Sequence, residues 1–256
     1  MWPEAHQAAG LLGFVRAPGV RLVPVLSHPE ATLELEVLWQ LALRLQQLGH
    51  ATLVLDATAA EAPAAPGLLH WLHAGAGPRP DPTGQPMVAA AAQGLAALQV
   101  PPGADALERL EPLLRAFSAV LLYAPPAAVA ALLGAHDASA LVLNVPGDAA
   151  VLRSYALLKQ MAAFPGVHAS LATVTAGEGQ VQGAQRSLQA LREGCARWLG
   201  ASPRAVLVNG ADAQALGALA LRLLEQACTL APQAPRRVHA SQAGHAGIRR
   251  YHGLSV

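Results

Sequence analysis

Short apolar runs of β character recur along this chain between longer stretches of helical spacing, and that alternation constrains its fold more than any other feature. Arg21 to Ser27 (RLVPVLS), Thr52 to Asp56 (TLVLD), Ala119 to Tyr123 (AVLLY), Ala140 to Val145 (ALVLNV), Val167 to Val174 and Ala205 to Asn209 each read as a strand. Most are near-continuous in apolar residues rather than alternating, which is the pattern of a strand covered on both faces. Helices are expected between them at Glu30–Leu48, closed by Gly49 from the C′ position, and at Gly67–Ala74, Asp105–Phe117 and Ala127–Leu133. Further helices are expected at Asp148–Ala162 with Asp148 as N-cap, at Gln180–Leu199 and at Asp212–Thr229. Strands separated in this way form a mostly parallel sheet with crossover helices on both faces, a three-layer α/β fold. Between Ala57 and Pro102 eight prolines blur the pattern, and one more strand is expected at Leu95–Val100.

The chain has 256 residues, 53% hydrophobic and 13% charged, with a formal charge of +1. That composition excludes a disordered chain and offers no electrostatic footprint for nucleic acid. Cys195 and Cys228 are too few for a disulfide framework and lack ligand spacing, so they read as buried thiols in a reducing compartment. The opening residues lack a signal-peptide pattern, and every apolar run falls short of the ~20 residues of a membrane span. A cytoplasmic protein is expected. It is expected to divide into an N-terminal segment 1–18, an α/β domain 19–230, and a basic flexible tail 231–256 that lacks periodicity.

Three stretches carry a family resemblance. Gln7-Ala8-Ala9-Gly10-Leu11 is similar to a DQAxGLR activation motif. Leu45 to Asp56 (LQQLGHATLVLD) looks like a helix, glycine turn and strand ending in aspartate. Ser154 to Lys159 (SYALLK) is similar to a DAYALIK-like helix start. Together, in this order, they resemble the MinD/ParA-type P-loop ATPases, and within them most closely the FlhG branch that regulates flagellar number and placement. The resemblance spans about residues 5 to 229. It implies a P-loop NTPase-like (MinD/SIMIBI type) fold, and for the N-terminal motif a docking role. There Gln7, Ala8, Gly10 and Leu11 would contact a protein partner, an FlhF-like signal-recognition-type GTPase, with His6 and Leu12 replacing the motif's Asp and Arg.

The phosphate-binding machinery departs from that family. A phosphate loop needs glycines so that backbone N–H groups can approach, a lysine on the β/γ-phosphates, and Ser/Thr on Mg²⁺. Aligned backward from Asp56, the loop falls on Ser27 to Glu36 (SHPEATLELE). His28, Glu30, Ala31 and Leu33 then stand at the glycine positions. Pro29 replaces the family's second lysine, Glu34 the main lysine, and Leu35 and Glu36 the threonine pair. Carboxylates therefore stand where a triphosphate would, and like charges ~4 Å apart repel by ~4 kcal/mol at an effective dielectric of 20. The only lysine of the chain is Lys159, so no other stretch supplies a loop lysine. Tyr123 occupies the place of the family's switch aspartate. Asp56 survives, read as a turn-forming carboxylate. Arg153 is the one basic residue placed near that edge.

Other candidates reduce to simpler chemistry. His70 and His73, one helical turn apart, lack a third ligand and read as a solvated helix face, so no metal is expected. The tail's His239, His245, His252, Arg236, Arg237, Arg249 and Arg250 allow at most a weak contact with anionic lipid or a partner. Cys195 lies mid-helix beside Trp198 and reads as buried, and Ser27 lacks a nucleophile elbow. No catalytic residue and no cofactor are expected. The resulting reading is a MinD/FlhG-like pseudo-ATPase working through protein contacts in flagellar biosynthesis. The alternative is an active ATP-binding ParA/MinD-type ATPase with an aberrant phosphate loop.

Overall fold

The computed structural model describes residues 19–28, 33–98, 106–134, 136, 138–164, 166–200 and 202–230. The first half of the fold comprises β1 (Val20–Leu26), α1 (Leu33–Gln47), β2 (Thr52–Asp56), α2 (Leu68–Ala74), β3 (Met87–Ala90), α3 (Ala92–Leu98), α4 (Ala106–Leu114) and β4 (Ala119–Ala124). The second half comprises α5 (Pro126–Leu133), β5 (Ala138–Asn144), α6 (Asp148–Ala162), β6 (Val167–Thr175), α7 (Val181–Trp198), β7 (Arg204–Asn209), α8 (Ala213–Gln226) and β8 (Cys228–Leu230). The strands form one eight-stranded sheet in the order β3-β2-β4-β1-β5-β6-β7, with β8 pairing β1. All pairings are parallel except that of β8, which runs antiparallel from Val20↔Leu230 to Leu22↔Cys228.

The strand sequences dictate two covered faces. In β4 all six residues of AVLLYA are buried. Val120, Leu122 and Ala124 join Leu22 and Leu26 in one core, with buried residues from α2 to α7. Leu121 and Tyr123 alternate with them into a second core beneath α1 and α8, with Val23, Val25, Leu41, Leu45 and Leu219. Period-two alternation within each strand thus feeds two helical layers.

Pro24 sits inside the central strand, an unusual place for a residue without an N–H. The N–H groups of Arg21 and Ser27 donate toward β4, to Ser118 O and Ala124 O. By alternation the nitrogen of Pro24 faces the opposite side. There β8 pairing stops at Leu22 and β5 pairing is registered at Val25↔Leu141, so the missing donor falls between the two partners.

Several boundaries differ from the sequence reading. The strand expected at Leu95–Val100 is instead helix α3, and the strand of this region is β3, paired in parallel with β2. Leu95 and Leu98 bury at a spacing of three, and alanine favours the helix. The tight contact is Gly94, where a Cβ would stand 2.5 Å from Leu68 Cγ. The last helix ends at Gln226 rather than at Thr229. Ala227 turns extended with ψ 145° and Cys228–Leu230 joins the sheet. Asp148 is the first residue of α6 rather than its cap. Gly147, with φ 126°, holds the cap position, and its N–H donates to Ser187 Oγ at 3.3 Å. Gly49 does close α1, with φ +90°.

Candidate functional site

In a parallel sheet with crossover helices, the helix N-termini and the connecting loops gather at the carboxyl ends of the strands, where such folds hold ligands. The described residues there form a consistent electrostatic surface. Glu34 and Glu36 lie in the first turn of α1, Asp56 ends β2, and Glu61 and Asp148 precede or open α2 and α6. Glu178 follows β6, and Asp212 precedes α8. No arginine or lysine occurs among the described residues of those loops and first turns. Arg153, in the second turn of α6, reaches the same edge.

Several of these carboxylates are spent on the backbone. Glu61 accepts from the N–H groups of Gly67, Leu69 and His70 at 3.2, 2.7 and 3.3 Å, capping α2. Asp212 caps α8 by accepting from Gln214 and Ala215 at 2.8 and 3.3 Å. Asp56 accepts from the Thr58 N–H at 2.8 Å and from its hydroxyl at 2.6 Å, the turn-forming role read from the sequence. At α2 and α8, orphan N–H groups that could receive an anion are thereby taken by the chain's own side chains.

The centre of this edge is filled by Tyr123. It is the penultimate residue of a fully buried strand, is 2% exposed, and its oxygen accepts a hydrogen bond from the backbone N–H of His28. Burial pushes its phenol above the ordinary value of 10.0. The nearby Glu34 and Asp56 carboxylates push the same way, and the His28 N–H opposes them. Glu34 is 7% exposed. Its Oε1 stands 3.6 Å from the Arg153 guanidinium, beyond hydrogen-bond distance, and its Oε2 is buried without a hydrogen-bond partner. Arg153 Nε is likewise buried and unpartnered. Ser27, which follows β1, is also buried.

A second buried polar chain runs beneath α6. The Ser154 hydroxyl donates to Asn144 Oδ1 at 3.0 Å, and Asn144 Nδ2 donates to Thr173 Oγ1 at 3.1 Å. Thr175 Oγ1, two residues on, is buried and unpartnered.

The structure therefore brings together Ser27, His28, Glu34, Asp56 and Tyr123 from the sequence-derived set, and leaves Glu36 exposed at the rim. Pro29, Glu30 and Ala31 lie outside the described residues, as do Gln7, Ala8, Gly10, Leu11 and the tail. His70 and His73 are exposed on α2, and no group of three or more candidate metal-binding side chains occurs among the described residues. The sequence reading missed the Tyr123–His28 bond and the Asn144–Ser154–Thr173 chain. The second could have been sought in the asparagine that interrupts an otherwise apolar strand.

At the opposite edge, where β5, β6 and β7 begin, a cavity of about 620 Å³ is lined by Leu158, Met161, His168, Cys195 and Arg204. Cys195 is buried, and that burial pushes its thiol up. No helix among the described residues is long and apolar enough to cross a membrane.

A parallel sheet layered by helices on both faces, with a strand–loop–helix unit at its centre, defines the chain as an α/β protein of the P-loop NTPase architecture. More narrowly, its fold is that of the MinD/ParA-type ATPases. It is similar to the structure described as cobyrinic acid a,c-diamide synthase from Mycobacterium smegmatis with bound ADP and magnesium. That likeness has a TM-score of 0.55 at 14% identity and covers 82% of this chain and 98% of that one. MinD in the MinC:MinD cell division complex of Aquifex aeolicus gives 0.54 at 11% identity, over 82% and 97% of the two chains. The ATP complex of a Cyanothece McdA variant gives 0.50 at 16%, over 81% and 98%. No protein-family model and no curated protein matches the sequence.

Proposed function

We propose that this chain is a MinD/FlhG-like regulator that has lost ATP binding and acts in the cytoplasm as a pseudo-ATPase, through protein contacts in flagellar biosynthesis. The observation that carries this reading is the acidic edge. Tyr123 and Glu34 occupy the end of the central strands, with Arg153 turned toward Glu34 rather than toward an open anion site. Transfer or binding of a triphosphate depends on cations and free N–H groups at the helix start. Here the described loops and first turns present carboxylates alone. Among the similar folds, two were solved with ADP or ATP, and one is a complex of MinD with a protein partner. The second kind of ligand suits this chain better. The flagellar assignment and the FlhF-like partner rest on the Gln7-Ala8-Ala9-Gly10-Leu11 motif. Segment 1–18 serves in this reading as the partner-binding arm of the α/β domain 19–230, and the basic tail 231–256 adds at most a weak membrane contact.

Calorimetric titration of the full chain with ATP and with ADP, each with and without Mg²⁺, tests the reading. No heat and no thermal shift are expected. Micromolar binding would overturn it in favour of an ATP-binding ParA/MinD-type ATPase with an aberrant phosphate loop. The partner is tested separately by deleting residues 1–12. Unchanged capture of an FlhF-like GTPase by the shortened chain would sink the flagellar link.

A further inference from the structure

We infer that the carboxyl edge has become a receptor for a single cationic nitrogen group, an alkylammonium or guanidinium, held by Glu34 with Asp56 and Tyr123 around it. The inference rests on the reading above that no nucleotide occupies this edge.

The argument starts from Glu34. Its side chain is more than nine-tenths buried, its Oε2 has no hydrogen-bond partner, and its one ion-pair contact among the described residues is at 3.6 Å. An ionised carboxylate is an acceptor without donors of its own, so what this buried oxygen lacks is an N–H or O–H group. Leaving such an oxygen dry and unbonded is costly, and native structures rarely tolerate it without a ligand or a compensating group. The resident cation does not meet the need. Arg153 makes no fork with the carboxylate, and its own Nε is unpartnered.

The surroundings select the sign of the missing ligand. Asp56 stands beside Tyr123 in the β2–β4 register, and the Asp56 and Glu34 carboxylates both push the Tyr123 phenol up. Carboxylates at the neighbouring helix starts extend the negative field outward, which raises the local concentration of cations and repels anions. A metal ion fits poorly. No cluster of three candidate ligands occurs among the described residues, and a guanidinium already stands beside Glu34. A nitrogen cation needs only acceptors: the Glu34 oxygen without a partner supplies the first, and the Asp56 carboxylate and Tyr123 phenol oxygen, which already accept from Thr58 and His28, stand near it. The group could belong to a side chain of a protein partner or to a free polyamine.

The full chain is titrated calorimetrically in four arms. These are spermidine, a peptide with arginines spaced by serine and leucine, MgCl₂, and ATP with Mg²⁺. Heat with spermidine or with the peptide is expected, and which of the two binds identifies the source. Glu34→Gln should weaken that binding roughly tenfold or more, whereas Glu36→Gln, at the exposed rim, should change it little. If Glu34→Gln fails to fold, Asp56→Asn carries the same test, with the same loss expected. Equal weakening by Glu36→Gln and Glu34→Gln would show charge attraction without a site, and would overturn the inference. So would heat with MgCl₂ that Glu34→Gln abolishes, since a metal would then be the ligand. Silence in both nitrogen arms with ATP also silent defeats this inference alone. Heat with ATP defeats the nucleotide-free reading beneath it.

Discussion

Arg153 stands 3.6 Å from Glu34 Oε1 across the carboxyl edge, and each partner keeps a buried polar atom without a hydrogen bond, Arg153 Nε and Glu34 Oε2. The pair is therefore loose, and its value lies mainly in the field that Arg153 supplies to a carboxylate that is 7% exposed.

Removing only the cation is the damaging change. Arg153→Leu should lower stability by about 1–2 kcal/mol. That is less than the loss for a fully buried pair, because the Arg153 side chain retains 23% exposure. Adding Glu34→Gln to it should recover most of that loss, since the stranded charge goes with it. Urea denaturation of the two single variants and the double variant measures the coupling. Additive losses would mean that the two groups do not sense each other.

Tyr123 makes a pH-dependent prediction. Its phenol is raised by burial first and by Glu34 and Asp56 next, so the folded chain holds the proton more tightly than the unfolded chain. Below the unfolded value of about 10 both states are protonated, and the pH dependence from this group is nil. From about pH 10 upward the unfolded state releases the proton first, and stability falls. Tyr123→Phe should flatten that alkaline decline. At neutral pH it should cost about 1–2 kcal/mol, because the His28 N–H loses its acceptor. Urea midpoints from pH 8 to 11 for both proteins decide it. Parallel declines would refute the assignment to Tyr123.

These two residues also show how far the sequence could be read. The placement of Glu34 and Tyr123 near one sheet edge was legible because Thr52–Asp56 and Gly49 fix the register of the strand–loop–helix unit, and the structure keeps both landmarks. What the two side chains bond to at that edge was not legible. The Tyr123–His28 bond joins residues 95 positions apart in sequence, and no local pattern announces it. The strand expected at Leu95–Val100 failed for a related reason. In an alanine-rich run, two leucines at a spacing of three satisfy a helix as readily as a buried strand. The pairing that decided the matter, Leu53↔Met87 to Asp56↔Ala90, is long-range. Cys228–Leu230 was likewise drawn from helix to strand by β1, a tertiary effect that propensity does not contain.

The Asn144 chain should behave as a unit. Ser154→Ala leaves Asn144 Oδ1 without its donor at 3.0 Å, and Thr173→Val leaves Asn144 Nδ2 without its acceptor at 3.1 Å, in a site where all three residues are at most 2% exposed. Each is expected to cost about 1–3 kcal/mol, the desolvation penalty of a stranded polar group. Asn144→Leu combined with both should cost less than the sum, because no polar group is then left unpaired. Thermal and urea unfolding of the series measures it. Strict additivity would show that the three side chains are independent.

Cys195 supplies a readout of opening at the other edge of the sheet. It is 1% exposed on α7, lines the cavity of about 620 Å³ with Leu158 and Met161, and burial raises its thiol. A thiol reacts through its thiolate, so both the low exposure and the raised pKa retard alkylation. Cys228, in β8, is partly exposed and lies at the start of a three-residue strand. In the native protein at pH 8, alkylation by iodoacetamide should therefore modify Cys228 first. Cys195 should react only at the rate at which α7 opens from the sheet, and urea should accelerate it. Cys195→Ser isolates the Cys228 rate, and mass spectrometry of the wild-type digest gives the order. Rapid modification of Cys195 in the absence of denaturant would show that the cavity admits solvent and reagent to a side chain the packing encloses.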